Sequence, residues 1–469
     1  MNGETDIKRP LAHDRLDLRE ETLGRTIWSL ALPTVVETLL VTMVFFSDTL
    51  IVGWLRDEKA LAATMLAGLI MFFLDAPFFA LSAAANSLVA RSWGQRDFDS
   101  ARRFAGHSIY MAFCAAAGFI IIAWPLSRGL VTVLGASEAV IPLGTRYLRI
   151  LLFSGALGMP MFVSNAIIRG TGDTKTPMIN TAIMNVTNVV VSIVLAFGMG
   201  VVEPMGLIGV AWGTVIARTL GGALSLRALF SSKKNLQMRF ANVITLSKTI
   251  SSRIVRLSTP AVLERSVQSF GSLVFIRIVA ILGTTTLAAH NIAIHVESLA
   301  YMPLVGVGSA IAAIVGQALG AGRSHIAELA VKRMLLWSVI FMVGLAVLFV
   351  VFGPVVAKVF GATPDVVKLA VMALQIASLE LPCLAVFLVL AASLRGAGDT
   401  RSPFYVTLVC SVLFRLGGVY LFAITFGWGL AGVWLATALD WGMRGIGLWI
   451  CFRKGVWKLI HEQEEDKYA

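Results

Sequence analysis

The chain has 469 residues, of which 57% are hydrophobic and only 14% charged, with a mean hydropathy of +0.81 and a formal net charge of +12. Soluble globular chains are about 25% charged, so a fully water-facing surface is excluded. The basic balance could suit nucleic acid, but no basic–aromatic module accompanies it, and the charge has another explanation in its distribution.

The first 25 residues are polar and include Lys8, Arg9, Arg15 and Arg19. They lack the apolar core and small-residue cleavage site of a signal peptide, so the first span is expected to stay in place as an anchor. Stretches long enough to cross about 30 Å of hydrocarbon then follow one another. They lie near 26–54, 61–90, 105–127, 139–168, 177–199, 206–226, 255–282, 287–318, 334–353, 366–394, 403–426 and 429–451. The fold class expected is an all-α integral membrane protein with twelve transmembrane helices in two pseudo-symmetric six-helix lobes. Alternate connections carry 27 Lys and Arg on one side against 5 on the other. The positive-inside rule then places both termini in the cytoplasm of a multi-pass plasma-membrane protein. Cys114, Cys383, Cys410 and Cys451 are scattered without redox or metal spacing and read as small packing residues.

The chain repeats itself. Residues 169–177 read RGTGDTKTP and 395–403 read RGAGDTRSP, an offset of 226 residues that also aligns Pro77 with Pro303 and Gly94 with Gly320. An offset of 227 aligns Pro33 with Pro260 and Glu37 with Glu264, and one of 223 aligns GLIGVAWGT with GLAGVWLAT. Six spans per half keep both halves in the same orientation, which makes them parallel repeats about an axis along the membrane normal. The expected divisions are a cytoplasmic segment 1–25, an N-lobe 26–230, a cytoplasmic linker 231–252, a C-lobe 253–452 and a cytoplasmic tail 453–469. In each signature loop Gly and Thr suit a tight turn, Asp173 and Asp399 can accept from the turn's own amides, and Pro177 and Pro403 suit the first turn of the next helix.

The duplicated loop, with LALPTVVETLL leading to Asp48, AAHNIAIHVESLAYMP at 288–303 and VGQALGAG at 315–322, resembles the MATE family, the multidrug and toxic compound extrusion transporters. The resemblance covers roughly residues 25–452. It implies efflux of organic, often cationic compounds in exchange for protons or sodium ions. It leans to the DinF-like branch, in which an acid at the distance of Asp48 from the first-span proline is the proposed coupling residue and an Asn matching Asn188 lies nearby. Two departures stand out. Ser192 replaces an Asp frequent in that branch, and the second-lobe carboxylates of the NorM-like branch fall on Gln268 and Leu384.

Ionisable side chains inside the spans cost at least ~2.5–3.5 kcal/mol each on insertion scales. They include Glu37, Asp48, Asp75, Glu264, Arg265, Arg277, Glu297, Glu380, Arg415, Asp440 and Arg444. Glu37 and Asp48 are eleven residues apart, on one stripe of the first helix and about 16 Å apart along it. The ion-coupling candidates are Asp48, Glu37 and Asn188. Glu264, Glu297 and Arg415 form a candidate polar site of the C-lobe, with an acid needed to neutralise Arg415. Arg169, Gly172, Asp173, Arg395, Gly398 and Asp399 are the loop signature, read as structural or gating.

The expected function is a secondary active antiporter, with small-molecule substrates, H+ or Na+ and the lipid bilayer as partners. No cofactor, metal or nucleic acid is expected, and the state expected is a monomer. The alternative is a lipid or lipid-linked-glycan flippase of similar build, whose phosphate-binding cavity Arg265, Arg277 and Arg415 could supply. A membrane enzyme is disfavoured: HExxH, a serine elbow and a P-loop are all missing, and His290 and His295 are poorly spaced for one metal.

Overall fold

The computed structural model describes residues 16–199, 203–231, 235–245, 247–359 and 363–458. Residues 1–15 of the expected N-terminal segment, 200–202 of the expected N-lobe, 232–234 and 246 of the linker, 360–362 of the expected C-lobe and the tail beyond 458 lie outside the described residues.

The chain is built from helices throughout the described part. α1 (Leu23–Trp54) is the first span. The second is α2 (Glu58–Leu74) continued by α3 (Ala76–Gln95) across a break at Asp75. Pro77 explains the break, because its nitrogen has no hydrogen to continue the helical ladder. α4 (Phe98–Val133) is the third span, and α5 (Ile141–Phe153) with α6 (Gly155–Gly170) form the fourth. α7 (Lys175–Phe197) and α8 (Leu207–Phe230) complete the first half. A short α9 (Ala241–Ile244) and the start of α10 (Lys248–Ile281) occupy part of the expected linker. α11 (Thr284–Gly320), α12 (Ser324–Val359) and α13 (Pro364–Gly396) follow. The eleventh span begins as α14 (Arg401–Cys410), passes through a π-turn (Ser411–Leu416), a short α15 (Gly417–Val419) and a second π-turn (Tyr420–Thr425). α16 (Gly429–Lys454) is the twelfth.

Length and apolarity alone identify nine of these spans among the described residues, or ten with the bent α5–α6 pair. The two that fail are α10 and α16. α10 contains Arg256, Glu264, Arg265 and Arg277, and α16 contains Asp440 and Arg444. Their charges lower hydropathy without forbidding a span, because most of them meet partners inside the protein.

The helices gather into two lobes, one for each half of the chain, each with its own apolar core. The lobes grip each other at the end that carries both signature loops. There Leu23, Ile27 and Leu30 of α1 join the second-half core, and Ile254 and Leu257 of α10 join the first-half core. Ile27 and Ile254, and Leu30 and Leu257, are equivalent under the repeat offset, so the exchange is reciprocal. Trp28 stacks on Trp337 at 5.4 Å between ring centroids. The paired glycines show how close the approach is. A Cβ on Gly94 would lie 2.2 Å from the Gln317 carbonyl oxygen, and one on Gly320 would lie 2.1 Å from that of Arg91. Glycine is the residue that permits such backbone proximity. At the opposite end of α1 and α10, Phe45, Phe46, Leu50, Trp54, Phe270 and Ile281 are exposed.

Candidate functional site

Asp48 projects from α1 into the first lobe and is buried. Asn188 Nδ2 of α7 donates to its Oδ1 at 3.1 Å, and Thr214 Oγ1 of α8 donates to its Oδ2 at 2.8 Å. Asn188 also meets Thr214 Oγ1 at 3.2 Å, while Ser47 Oγ donates to Asn188 Oδ1 at 3.2 Å. Both Asn188 and Ser192 are fully buried, and Ser192 backs onto Gly213 beside Thr214. Three helices thus enclose one carboxyl group with neutral polar side chains. Arg218 of α8 acts on Asp48 only through space.

Glu37 shares the buried stripe of α1 but has different company. Arg169 Nη1 donates to Glu37 Oε1 at 2.7 Å and to Oε2 at 2.9 Å, and Asn165 Nδ2 donates to Oε1 at 3.0 Å. Ser225 Oγ donates to Asn165 Oδ1 at 2.7 Å, and Asn180 Nδ2 donates to Ser225 Oγ at 3.2 Å. The second lobe repeats the core of this arrangement. Arg395 Nη1 donates to Glu264 Oε2 at 2.9 Å, and Thr407 Oγ1 donates to Glu264 Oε1 at 3.3 Å. The arginine that opens each signature loop therefore reaches back to the acid of that lobe's first helix.

The rest of the loop is equally duplicated. Gly172 and Gly398 both sit at φ +94°, a left-handed conformation open to glycine. Asp173 Oδ1 accepts from the Thr176 amide at 2.9 Å and its Oδ2 from the Thr176 hydroxyl at 2.6 Å. Asp399 accepts from the Ser402 amide at 2.9 Å and its hydroxyl at 2.6 Å. Each aspartate caps the helix that follows, α7 or α14. The glycine carbonyls that end α6 and α13 are each taken by the other lobe. Gln317 Nε2 donates to the Gly170 oxygen at 2.8 Å, and Ser87 Oγ donates to the Gly396 oxygen at 2.9 Å.

In the second lobe Arg415 finds its acid in Asp440, Nε to Oδ2 at 2.8 Å. Arg444 binds the same carboxylate from one helical turn away, Nε to Oδ1 and Nη2 to Oδ2, both at 2.8 Å. Glu297 lies near Glu380 of α13 and not beside Glu264. The three residues Glu264, Glu297 and Arg415 are therefore not one site. Glu264 belongs to the loop clamp, while Glu297 and Arg415 belong to the Asp440 cluster. Among the described residues no three His, Cys, Asp or Glu side chains converge as a metal site.

Thr214, Arg218 and Asn165 escape a sequence reading that looks for acids. Thr214 had one usable signal, since it recurs as Thr437 at the end of the repeated GLIGVAWGT/GLAGVWLAT stretch. Asp440 and Arg444, four apart on one helix, also carried the spacing of an ion pair.

The MatE family pattern matches residues 33–194 and again residues 260–421. A relative from Thermotoga maritima called a probable multidrug resistance protein NorM is 28% identical over 439 residues, 93% of each chain. A FAD transporter from Shewanella oneidensis is 23% identical over 86% of this chain and 89% of its own. Among solved structures, a MOP superfamily transporter from Pyrococcus furiosus superposes with a TM-score of 0.86 at 22% identity, over 93% of this chain and 97% of that one. With both lobes matched, one pattern to each, the chain belongs to the MATE family of multidrug and toxic compound extrusion transporters.

Proposed function

We propose that this transporter is a secondary active antiporter, exporting small organic compounds, often cationic or amphiphilic, in exchange for protons or sodium ions. The observation that carries the reading is the contrast among those buried acids that make hydrogen bonds. Glu37, Glu264 and Asp440 each touch a guanidinium at 2.7–2.9 Å, whereas Asp48 touches only an amide and a hydroxyl. A carboxylate bound to arginine already holds its counter-charge. One held by neutral groups can gain and lose a cation without breaking an ion pair, so Asp48 is the coupling residue, with Asn188 and Thr214 orienting it. Glu37 is then part of a structural clamp. The Asp48–Asn188 pairing supports a position near the DinF-like branch.

The lobes grip each other at the signature-loop end, which the distribution of Lys and Arg assigns to the cytoplasm. The conformation is accordingly outward-facing. An ion arriving at Asp48 from outside alters how α1 packs on α7 and α8, and a bound amphiphile is released outward. The coupling lies in the different affinities of ion and substrate for the two states. The flippase alternative needs free arginines for phosphate. Arg415 is bound to Asp440, and Arg265 lies against Phe72 and Phe79 at 4.5 and 5.8 Å from their ring centroids.

Dye efflux from reconstituted vesicles, with pH and sodium gradients imposed separately, tests the reading. Asp48→Asn keeps the shape of the side chain and removes its charge. The variant is expected to fold, to bind substrate at least as tightly as wild type, and to lose gradient-driven efflux. Wild-type efflux by well-folded Asp48→Asn protein rules out Asp48 as the coupling residue.

A further inference from the structure

One cation of the second lobe is seated on the first. Arg265 of α10 carries its guanidinium carbon to 4.5 Å from the ring centroid of Phe72 in α2 and 5.8 Å from that of Phe79 in α3. Phe162 of α6 backs Phe79 at 5.3 Å between centroids. Arg265 Nε is buried without a hydrogen-bond partner. The rings hold this cation by their faces, an attraction that strengthens as water is excluded. Phe72, Asp75 and Phe79 follow at i, i+3 and i+7, which brings them to one face of the second span. Asp75 Oδ1 is also buried without a hydrogen-bond partner. Aromatic faces are a general means of holding an organic cation, and an ionised acid on the same face adds to the attraction.

The repeat does not call for this contact. Under its offsets Arg265 answers to Thr38, and Phe72, Asp75 and Phe79 answer to Ser298, Tyr301 and Val305. In the equivalent place α1 packs on α11, Val35 against Gly306, with none of these side chains. Val35 itself answers to Val262, so Arg265 lies about one turn beyond the close grip, toward the open end of α10. It stands at the floor of the outward-facing cleft. The contact joins the lobes and must part when the loop end opens.

We propose that Phe72 and Phe79 are a binding site for planar, delocalised organic cations, and that Arg265 is the tethered competitor that empties it. With the loop end open, α10 withdraws with the second lobe and the two rings face the cytoplasmic cleft. A substrate cation then takes the place of the guanidinium. When the loop end closes, Arg265 returns to the rings and the substrate is displaced into the outer cleft. One lobe movement thus lowers affinity on the side where release is needed, the difference between states that export requires. A guanidinium is itself a flat cation that stacks on aromatic faces. The site is therefore assigned to flat cations, such as amidinium, pyridinium or phenanthridinium groups, and not to compact ammonium ions. The proposal rests on the export reading for its direction, and on neither Asp48 nor the identity of the coupling ion.

Ethidium, a planar phenanthridinium, reads the site by its fluorescence with purified protein in lipid nanodiscs, where no gradient is present. Arg265→Met removes the competitor and leaves the rings. It should bind ethidium about tenfold more tightly than wild type. Adding Phe72→Leu and Phe79→Leu should abolish that gain. In vesicles Arg265→Met should lower both KM for ethidium and kcat, since bound substrate is no longer displaced; a merely structural arginine would not lower KM. Affinity in Arg265→Met that is unchanged, weaker or undetectable overturns the competitor, and a gain that survives loss of both rings overturns the aromatic site. Tighter binding with unaltered kcat overturns the release role. Absence of ethidium efflux from wild type under every gradient, with the binding results intact, counts against the export reading instead. Where Arg265→Met does not fold, Arg265→Lys decides. An ammonium stacks less well on a ring than a guanidinium, so ethidium should again bind more tightly than to wild type, and equal or weaker binding refutes the proposal.

Discussion

Two acids on one stripe of α1 illustrate what a residue can and cannot announce. The helical period placed Glu37 and Asp48 on one face, and both are buried. Their partners were beyond reach of that period, because Arg169 lies 132 residues from Glu37 and Asn188 lies 140 from Asp48. Only packing of α1 on α6 and α7 decides that one acid meets a guanidinium and the other an amide. The difference predicts opposite phenotypes. Glu37→Gln strands Arg169 in a largely buried place, and breaking such a pair costs about 3–5 kcal/mol. It should lower the melting temperature of purified protein while leaving residual efflux ion-dependent. Removing the stranded charge as well, in Glu37→Gln with Arg169→Met, should restore most of the loss. Glu264→Gln should behave as Glu37→Gln does, since Arg395 repeats the contact. A Glu37→Gln protein as stable as wild type but uncoupled would return Glu37 to the ion path.

At the scale of elements, the signature loops were the most legible feature and half of their role was hidden. Composition and spacing sufficed for the turn glycines and the capping aspartates, which are local interactions. The inter-lobe contacts are not local. Gln317 and Ser87 satisfy the carbonyls that end α6 and α13, and helix ends need such acceptor partners. The loops thus cap their own helices and latch the two lobes together. A hydrogen bond of this kind contributes about 1 kcal/mol, which is about fivefold in a two-state population. Gln317→Leu should shift the equilibrium by that factor toward opening at the loop end. Spin labels at positions 97 and 323, near the starts of α4 and α12, should show a larger long-distance fraction. An unchanged distance distribution would deny the latch its energetic role.

The molecule as a whole was readable as twelve spans in two repeats because duplication leaves motifs at a constant offset, whereas hydropathy alone misses α10 and α16. How the repeats sit against each other was not readable. It follows from apolar side chains of α1 and α10 exchanged between the two cores, and from the facing pairs Gly94–Gln317 and Gly320–Arg91. In the proposed rocking scheme this gripping end is the fulcrum. On α1 the inter-lobe contact extends to Val35, whose Cα would lie 2.6 Å from a Cβ on Gly306. From there to Trp54 is nineteen residues, or about 28 Å of helix. A lobe rotation of about 20° would carry the far end roughly 10 Å over that lever arm. Cysteines replacing Trp54 and Leu282, at the far ends of α1 and α10, should therefore form a disulfide only when that end is closed. Cys114 is exposed and must first be replaced, with the other three native cysteines, to keep the readout clean. Trapping the new disulfide should abolish efflux, and a reductant should restore it. Full-rate transport by the trapped protein would show that the lobes need not part there, and the rocking scheme would fall.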